Sequence, residues 1–392
     1  MSTAKPMYIE LHVLQTFPVS AINRDGAGNP KDALFGGVRR ARISSQCLKR
    51  SARVSATFAE EAGVPLGLRT RWMITPLREA LVQAGFAAAE IEKVLPAFIP
   101  LYCGKLDSDK KLADAGRVAT AAFLSQQELE AIVAALGGAW REILAGNEPD
   151  AAALGKIAEK LIKEQVGWTS APDVALFGRM MAHDPRLQIV AASQTAHAIS
   201  THRAEMEYDY FTAMDDLLDD AATGRGEASM LATTAHTSAT FYRYHRFDWD
   251  LLVRNLNGDL TLARQTLKAA LLATLEALPT GKISGFAHYT APDLVLAVAR
   301  EGFTPWNLVN AFERPVRPTN DGYIQPSIQR LLDFYEHTIS LYGERGLRSV
   351  LGSALVIHPG HAVEVDEERF KGQRLPALDQ LVEAACAYLK QE

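Results

Sequence analysis

Between Asn23 and Arg53 the chain reads NRDGAGNPKDALFGGVRRARISSQCLKRSAR, and the rest has to be arranged around this stretch. Eight cations (Arg24, Lys31, Arg39, Arg40, Arg42, Lys49, Arg50 and Arg53) face only Asp25 and Asp32, a local charge of +6. The full chain carries −5, which leaves −11 for the residues outside. A basic island on an acidic chain is the footprint of a localised polyanion site; the competing reading is a solvated, salt-bridged face. The order of residue types favours the first. Gly36-Gly37 lets the backbone turn or approach another group closely. Ser44-Ser45 supplies an N-cap for a helix predicted over QCLKRSARVSATFAEEA, with Gln46, Lys49, Arg50 and Arg53 on one face and Leu48, Ala52, Ser55 and Ala59 on another. Phosphate recognition needs positive charge and backbone donors at fixed spacing, and a helix start is friendly to anions.

Upstream, Tyr8 to Phe17 alternates, with Ile9, Leu11 and Val13 against Glu10, His12 and Leu14. That period of two predicts a first strand with one buried face. The stretch from Ala21 to Lys31 is too rich in Asn, Asp, Gly and Pro for regular structure. From about Leu66 to Gly178 the pattern turns helical and alanine-rich, and Ser125 with Glu128 forms a capping box. We expect a helical insertion with no share in the sheet. A short strand is predicted at Leu187 to Ala191, then a protruding loop or β-finger that carries Tyr208, Tyr210 and Phe211 and is punctuated by Gly224 and Gly226. Strand alternation resumes at ATFYRYHRF, with Phe241, Arg243 and His245 against Thr240, Tyr242 and Tyr244. Helices are expected over LTLARQTLKAALLATLEALP, TPWNLVNAFER, QPSIQRLLDFYEHTISLYGERG and the tail ALDQLVEAACAYLK, and strands at Leu294 to Val298 and at ALVIHPG. The fold class is α+β, with strands towards both ends of the chain and a helical block between them.

Bulk properties narrow the function. At 392 residues, two or three compact units are expected, and 48% hydrophobic with 22% charged residues describes a soluble globular protein. No apolar run is long enough for a bilayer, and MSTAKPMYIELHV has no signal-peptide core, so a cytoplasmic protein without membrane contact is expected. Cys47, Cys103 and Cys386 stand too far apart in sequence to suggest a disulfide framework or a cysteine-rich zinc site. Thr280-Gly281-Lys282 resembles the end of a phosphate loop, but Ile283 follows and no glycine stands five before Gly281, so it is not a Walker motif. His197 and His202 lack zincin spacing, and the Asp215-Asp216 and Asp219-Asp220 pairs, which could hold Mg²⁺, read instead as solvated acidic faces. No cofactor, metal or catalytic residue is expected. Aromatics on a projecting element beside a basic groove are how proteins hold single-stranded nucleic acid, although Tyr208, Tyr210 and Phe211 packed beneath the loop remain the alternative.

The ordered motifs NRD-x₅-KDA-x-FGG-x-RR-x-RISSQ-x-LKR, GRM (Gly178 to Met180), HAI-x-TH (His197 to His202), YFTAMDDL (Tyr210 to Leu217), FYRY (Phe241 to Tyr244), NAFE and DG-x-x-QPSIQ resemble the CasC family, the backbone subunit of the type I-E CRISPR Cascade complex. The likeness is dense over 8–53, 175–245 and 304–330 and weak in the helical block. It implies a hand-like fold: an RNA-recognition-motif (ferredoxin-like) palm over 1–65, helical fingers over 66–180, a palm strand and thumb over 181–245 (thumb about 200–238), and the remaining palm over 246–392. It further implies several copies stacked head to tail on a CRISPR RNA as an open helical filament, with large, small and RNA-end-binding Cascade subunits as partners. Target DNA would be met through the guide. By the same resemblance Arg24, Lys49, Arg50 and Arg53 contact phosphates, with Arg53 in place of a lysine, and Arg40, Arg42, Ser44 and Gln46 lie in the patch. Met180 resembles a residue that wedges between bases, and Tyr210, Phe211 and Thr212 a thumb tip, with Tyr210 where the family often has tryptophan. Related type III backbones cut RNA with a loop aspartate, which makes Asp25 or Asp32 the alternative, catalytic reading.

Overall fold

The structure is a computed structural model, and it describes residues 5–114, 116–181, 183–213, 230–320, 322–361 and 372–389. The chain forms two compact units, one from Met1–Thr57, Thr195–Arg246 and Ala270–Glu392, the other from Phe58–Gln194 and Phe247–Ala269. The second unit thus begins before the 66–180 block read from the sequence and takes in a later stretch as well. The strands are β1 (Met7–Ser20), β2 (Asp32–Phe35), β3 (Val38–Ile43), β4 (Leu68–Thr70), β5 (Ala122–Leu124), β6 (Ser193–Thr195), β7 (Ala198–Ser200), β8 (Glu207–Ala213), β9 (Met230–Asp248), β10 (Leu294–Glu301), β11 (Val350–Ile357) and β12 (Gly372–Arg374). The large mixed sheet runs β12-β11-β10-β1-β9-β7-β3-β2, with β6 and β8 also paired to β9.

In the first unit β1 is central. It pairs antiparallel with β10 from Met7 opposite Glu301 to Leu14 opposite Leu294. The expectation of a single buried face fails here, because helices cover both sides. Leu14, Tyr242, Tyr244 and Leu296 share a core with Ile328, Leu331, Leu332 and Tyr335 of the helix Ile324–Leu341. Phe17, Phe241 and Ala239 share another with Leu48 of α1 (Ser45–Arg53). Glu10 and His12, read as solvent-facing, are fully buried and each has found polar partners. Glu10 accepts from Arg300 Nε at 2.7 Å, from the Trp306 amide at 2.7 Å and from the Tyr244 hydroxyl at 3.1 Å. Burial pushes the Glu10 carboxyl up, and the Arg300 charge opposes that shift.

The predicted helix over QCLKRSARVSATFAEEA is interrupted. Helix α1 stops at Arg53, and α2 (Ala56–Ala62) restarts with Phe58 and Ala62 as its buried residues; Ala59, grouped by helical period with Leu48 and Ala52, is exposed where those two are buried. TPWNLVNAFER gives only a 3₁₀ turn at Leu308–Phe312. The longest strand, β9, is 19 residues. Its later part pairs with β7 in the main sheet, and its earlier part pairs with β8 from Glu207 opposite His236 to Ala213 opposite Met230.

The second unit is built on a helical core in which Leu77, Ile91, Leu95, Phe98, Ile132 and Leu154 meet. The Ser125 and Glu128 capping box forms, and Glu128 also accepts from Arg179 Nη1 at 2.6 Å, a buried ion pair invisible to local pattern. The block is not purely helical, since β4 and β5 pair as a small separate sheet. The strand expected at Leu187 to Ala191 is instead a 3₁₀ turn (Pro185–Leu187) and one bridge between Arg179 and Ile189.

His12 makes the first unit sensitive to acid. The Leu308 amide donates to the Tyr242 oxygen at 3.0 Å, and the same hydroxyl is hydrogen-bonded to His12 Nδ1 at 2.9 Å in the buried core. Desolvation, with Arg300 adding to it, depresses His12 to about 3. A group depressed in the folded state contributes stability above its unfolded value of about 6.5, and that contribution is lost as pH falls toward the folded value. Wild type should therefore lose about 2 kcal/mol more unfolding free energy than His12→Gln between pH 7 and pH 5, measured by urea unfolding. Equal losses would show that His12 is not held neutral.

Candidate nucleic-acid interface

The loop after β1 is irregular but closed upon itself. Asp25 Oδ1 accepts the amides of Ala27 at 2.9 Å and Asn29 at 3.0 Å, and Arg24 bridges to Pro30. Asn23 ties the two ends of this region together: its Oδ1 accepts the Ser44 amide at 2.9 Å, and its carbonyl accepts Lys31 N–H at 2.8 Å. Arg24 is left projecting at the surface.

β2 and β3 form a hairpin closed by Gly36 (φ +58°) and Gly37 (φ +76°), a pair of left-handed residues that suits the twist of a two-residue turn. Gly36 also permits a close approach, because a Cβ there would stand 1.6 Å from the Glu313 carbonyl oxygen. Arg40 completes the contact. Its guanidinium donates to the carbonyls of Ser200 at 2.9 Å, Phe312 at 2.7 Å and Glu313 at 3.2 Å, and its Nε to that of Phe35 at 3.2 Å. Arg40 is fully buried and has no face to offer a phosphate, which corrects its inclusion in the interface. FGG-x-RR and NAFE are therefore two halves of one structural contact.

Helix α1 starts at the predicted cap: the Ser44 hydroxyl accepts the Cys47 amide at 3.4 Å, and the Ser45 amide donates to His197 Nδ1 at 2.9 Å. These amides are occupied, and Ser44 is buried, so Ser44 acts through the fold of the helix start. Gln46 and Arg50 are exposed, Lys49 and Arg53 half-buried, and Arg42 half-buried with its Nε on the Asp32 carbonyl at 3.0 Å. Arg50 and Arg53 lie in the last turn of α1, where the helix dipole favours cations.

Electrostatics link the cations. Burial, Arg42 and Lys31 together lower the His197 pKa, while burial raises the Cys47 thiol against the opposing pull of Lys31 and Arg50. Burial also depresses Lys49. Arg39 pairs with Asp32, whereas among the described residues Arg24, Lys31, Lys49 and Arg50 have no carboxylate partner. Arg24 and Arg50 line one open concavity of about 970 Å³, whose far wall is the segment Glu276–Gly281 with Tyr289. That wall was missed in the sequence, where the only signal was Gly281 in the rejected phosphate-loop resemblance.

The aromatics stand on a strand. Tyr208, Tyr210 and Phe211 on β8 are 61%, 72% and 45% exposed, which excludes packing beneath a loop. Strand alternation puts Tyr210 and Phe211 on opposite faces of the β8–β9 hairpin. Thr212 belongs to β8, opposite Leu231. Gly224, Gly226 and the Asp215-Asp216 and Asp219-Asp220 pairs lie outside the described residues. Met180 belongs to the second unit, where it is 77% exposed on anchored backbone. Just before it, Arg179 is buried, with Nε on the Leu187 carbonyl at 2.8 Å, and Gly178 has φ +83°.

The Arg40 contact makes a stability prediction. Arg40→Met would leave several buried carbonyls unpaired, at a cost on the order of 3 kcal/mol. Chemical unfolding should show that loss, while Arg50→Ala on the exposed face should stay within about 0.5 kcal/mol of wild type. Equal effects would mean that Arg40 is not the anchor.

The family described as "CT1975-like protein" matches residues 9–384. No curated protein matches the chain. A solved structure titled "CRISPR RNA-guided surveillance complex, pre-nicking" contains a chain 27% identical, with a TM-score of 0.81, covering 97% of this chain and 99% of that one. A second, titled "CRISPR RNA-guided surveillance complex", contains a chain 25% identical with a TM-score of 0.71, covering 97% and 100%.

Proposed function

The chain belongs to the CT1975-like family, in agreement with the CasC likeness of its motifs, and from that premise we propose that it is a non-catalytic backbone subunit of a type I-E CRISPR RNA-guided surveillance complex. Several copies stack along the guide, grip its phosphates and kink it so that the guide can pair with invading DNA. The observation that carries this reading is the set of cations Arg24, Lys31, Lys49 and Arg50, which have no carboxylate partner among the described residues, with Arg24 and Arg50 lining one concavity, together with a hairpin whose aromatic side chains are open. Like charges crowded together are mutually destabilising, and a polyanion relieves them. Burial lowers the Lys49 pKa, and a phosphate beside it would favour its charged form.

Within this reading the first unit is the RNA-recognition-motif palm, and the β8–β9 hairpin is the thumb that covers a displaced nucleotide, with Tyr210 and Phe211 presented on its two faces. Met180 is the wedge. Arg42, Gln46 and Arg53 border the phosphate path, and the other Cascade subunits cap the filament. A ribonuclease reading is not favoured, since Asp25 holds its own loop together through the Ala27 and Asn29 amides and Asp32 pairs with Arg39. No helix among the described residues is long and apolar enough to cross a membrane, and the proposed site of action is the cytoplasm.

Replacing Lys49 and Arg50 together by Ala should lower affinity for single-stranded RNA of any sequence alike. It should also flatten the plot of log affinity against log salt by about 1.4, at ~0.7 per phosphate. A loss confined to particular sequences would contradict backbone recognition.

A further inference from the structure

The rejected phosphate-loop resemblance, Thr280-Gly281-Lys282, is not idle in the structure. It sits in the segment Leu278 to Thr290, which is pinned at both ends. Gly281 lies so close to the loop after β1 that a Cβ would stand 2.2 Å from the Ile22 carbonyl oxygen. The buried His288 meets the Pro279 carbonyl through Nε2 at 2.9 Å, and the Thr290 hydroxyl donates to the Thr16 carbonyl at 2.8 Å. On the other side the Phe286 ring lies 6.2 Å from that of His236 on β9. Between these anchors Lys282 (φ +52°) and Ala287 (φ +45°) both hold the left-handed conformation, uncommon for residues with a side chain. Such backbone persists where the surroundings impose it, and it gathers at functional sites.

Lys282 is exposed, and its ammonium donates to the Thr234 hydroxyl on β9. Thr234 stands opposite Asp209, two residues from the pair of Ala232 with Phe211. By the two-residue period, Thr234 and Phe211 share a face of the hairpin, and Tyr210 is on the other. An ammonium has three donors, and a neutral hydroxyl takes one. The same segment supplies the wall of the Arg24 and Arg50 concavity, where Tyr289 is 55% exposed.

We propose that Lys282 is a further RNA-contacting residue, which takes a backbone phosphate of the single strand where it leaves the Arg24 and Arg50 concavity for the Phe211 face of the hairpin. The inference rests on the RNA-binding reading and adds a path to it. The strand runs along the Phe211 and Lys282 side, with the Tyr289 ring beside it for a base, and Lys282 ties phosphate to the stem of the hairpin.

The test uses the full chain and single-stranded RNA titrated over a range of salt. Lys282→Asn removes the charge and keeps a residue that tolerates left-handed backbone. Lys282→Arg keeps the charge, and Thr234→Val removes only the hydroxyl partner. We expect Lys282→Asn to reduce the salt slope by about 0.7, one phosphate on a single strand, with Lys282→Arg and Thr234→Val close to wild type. An unchanged slope for Lys282→Asn alongside a reduced one for the Lys49 and Arg50 double variant would overturn the inference and leave the proposed function standing. An equal loss in Thr234→Val would also overturn it, because Lys282 would then act only as a strut. If none of the variants changed the slope, the RNA-binding reading itself would fall.

Discussion

The proposed interface depends on a cation that never reaches it. Arg40 gathers four carbonyl oxygens, from Phe35, Ser200, Phe312 and Glu313, around one planar guanidinium. Those carbonyls belong to the β2–β3 hairpin, to β7 and to the end of the turn Leu308–Phe312 with the residue that follows it, three segments far apart in sequence. Gly36 lets the hairpin press onto the Glu313 carbonyl, and Arg40 then holds it there. A rigid fork with five donors suits this task in a way that the lysine ammonium does not. With the hairpin fixed, Arg39 and Arg42 flank it at fixed positions, and Asn23 and Ser44 join its base to the loop and helix that carry Arg24, Lys49 and Arg50.

The same economy appears in the long strands. β1 enters the sheet buried on both faces and leaves it directly into the basic loop. β9 crosses the same sheet and also forms one side of the aromatic hairpin. The cations and the aromatics are therefore held by neighbouring strands of one hydrogen-bonded framework, and their spacing is set by sheet geometry. Buried polar groups complete it: Glu10 with Arg300, Tyr244 and the Trp306 amide, and His12 with Tyr242. These groups specify how the segment Trp306–Leu308 meets the sheet, a positioning that apolar contacts alone leave loose.

What could be read in the sequence was local. The first strand, the irregular basic loop, the Gly36-Gly37 turn, the Ser44 and Ser125 caps and the alternation in ATFYRYHRF all come from residue type and period. What could not be read depended on residues remote in the chain. Nothing near Glu10 or His12 announces Arg300 or Tyr242, so a strand covered on both sides looked half-exposed. Arg40 looked like its neighbours Arg39 and Arg42, since only Ser200 and Phe312 distinguish it. The break after Arg53 and the shortness of the turn at Leu308–Phe312 are tertiary outcomes that override helical pattern. Thr280-Gly281-Lys282 fails as a Walker motif, and its place in the fold depends on Ile22 against Gly281 and Thr234 against Lys282, which no motif contains.

In the proposed function this chain binds a single RNA strand through the RNA backbone and assembles on it. Its most direct test is the mass and ultraviolet absorbance ratio of the species eluting when the protein is purified alone and together with a CRISPR RNA. RNA is expected to elute with the protein in an assembly that grows stepwise by one copy at a time. A protein that elutes as an RNA-free monomer and leaves added RNA unbound at low salt would contradict it.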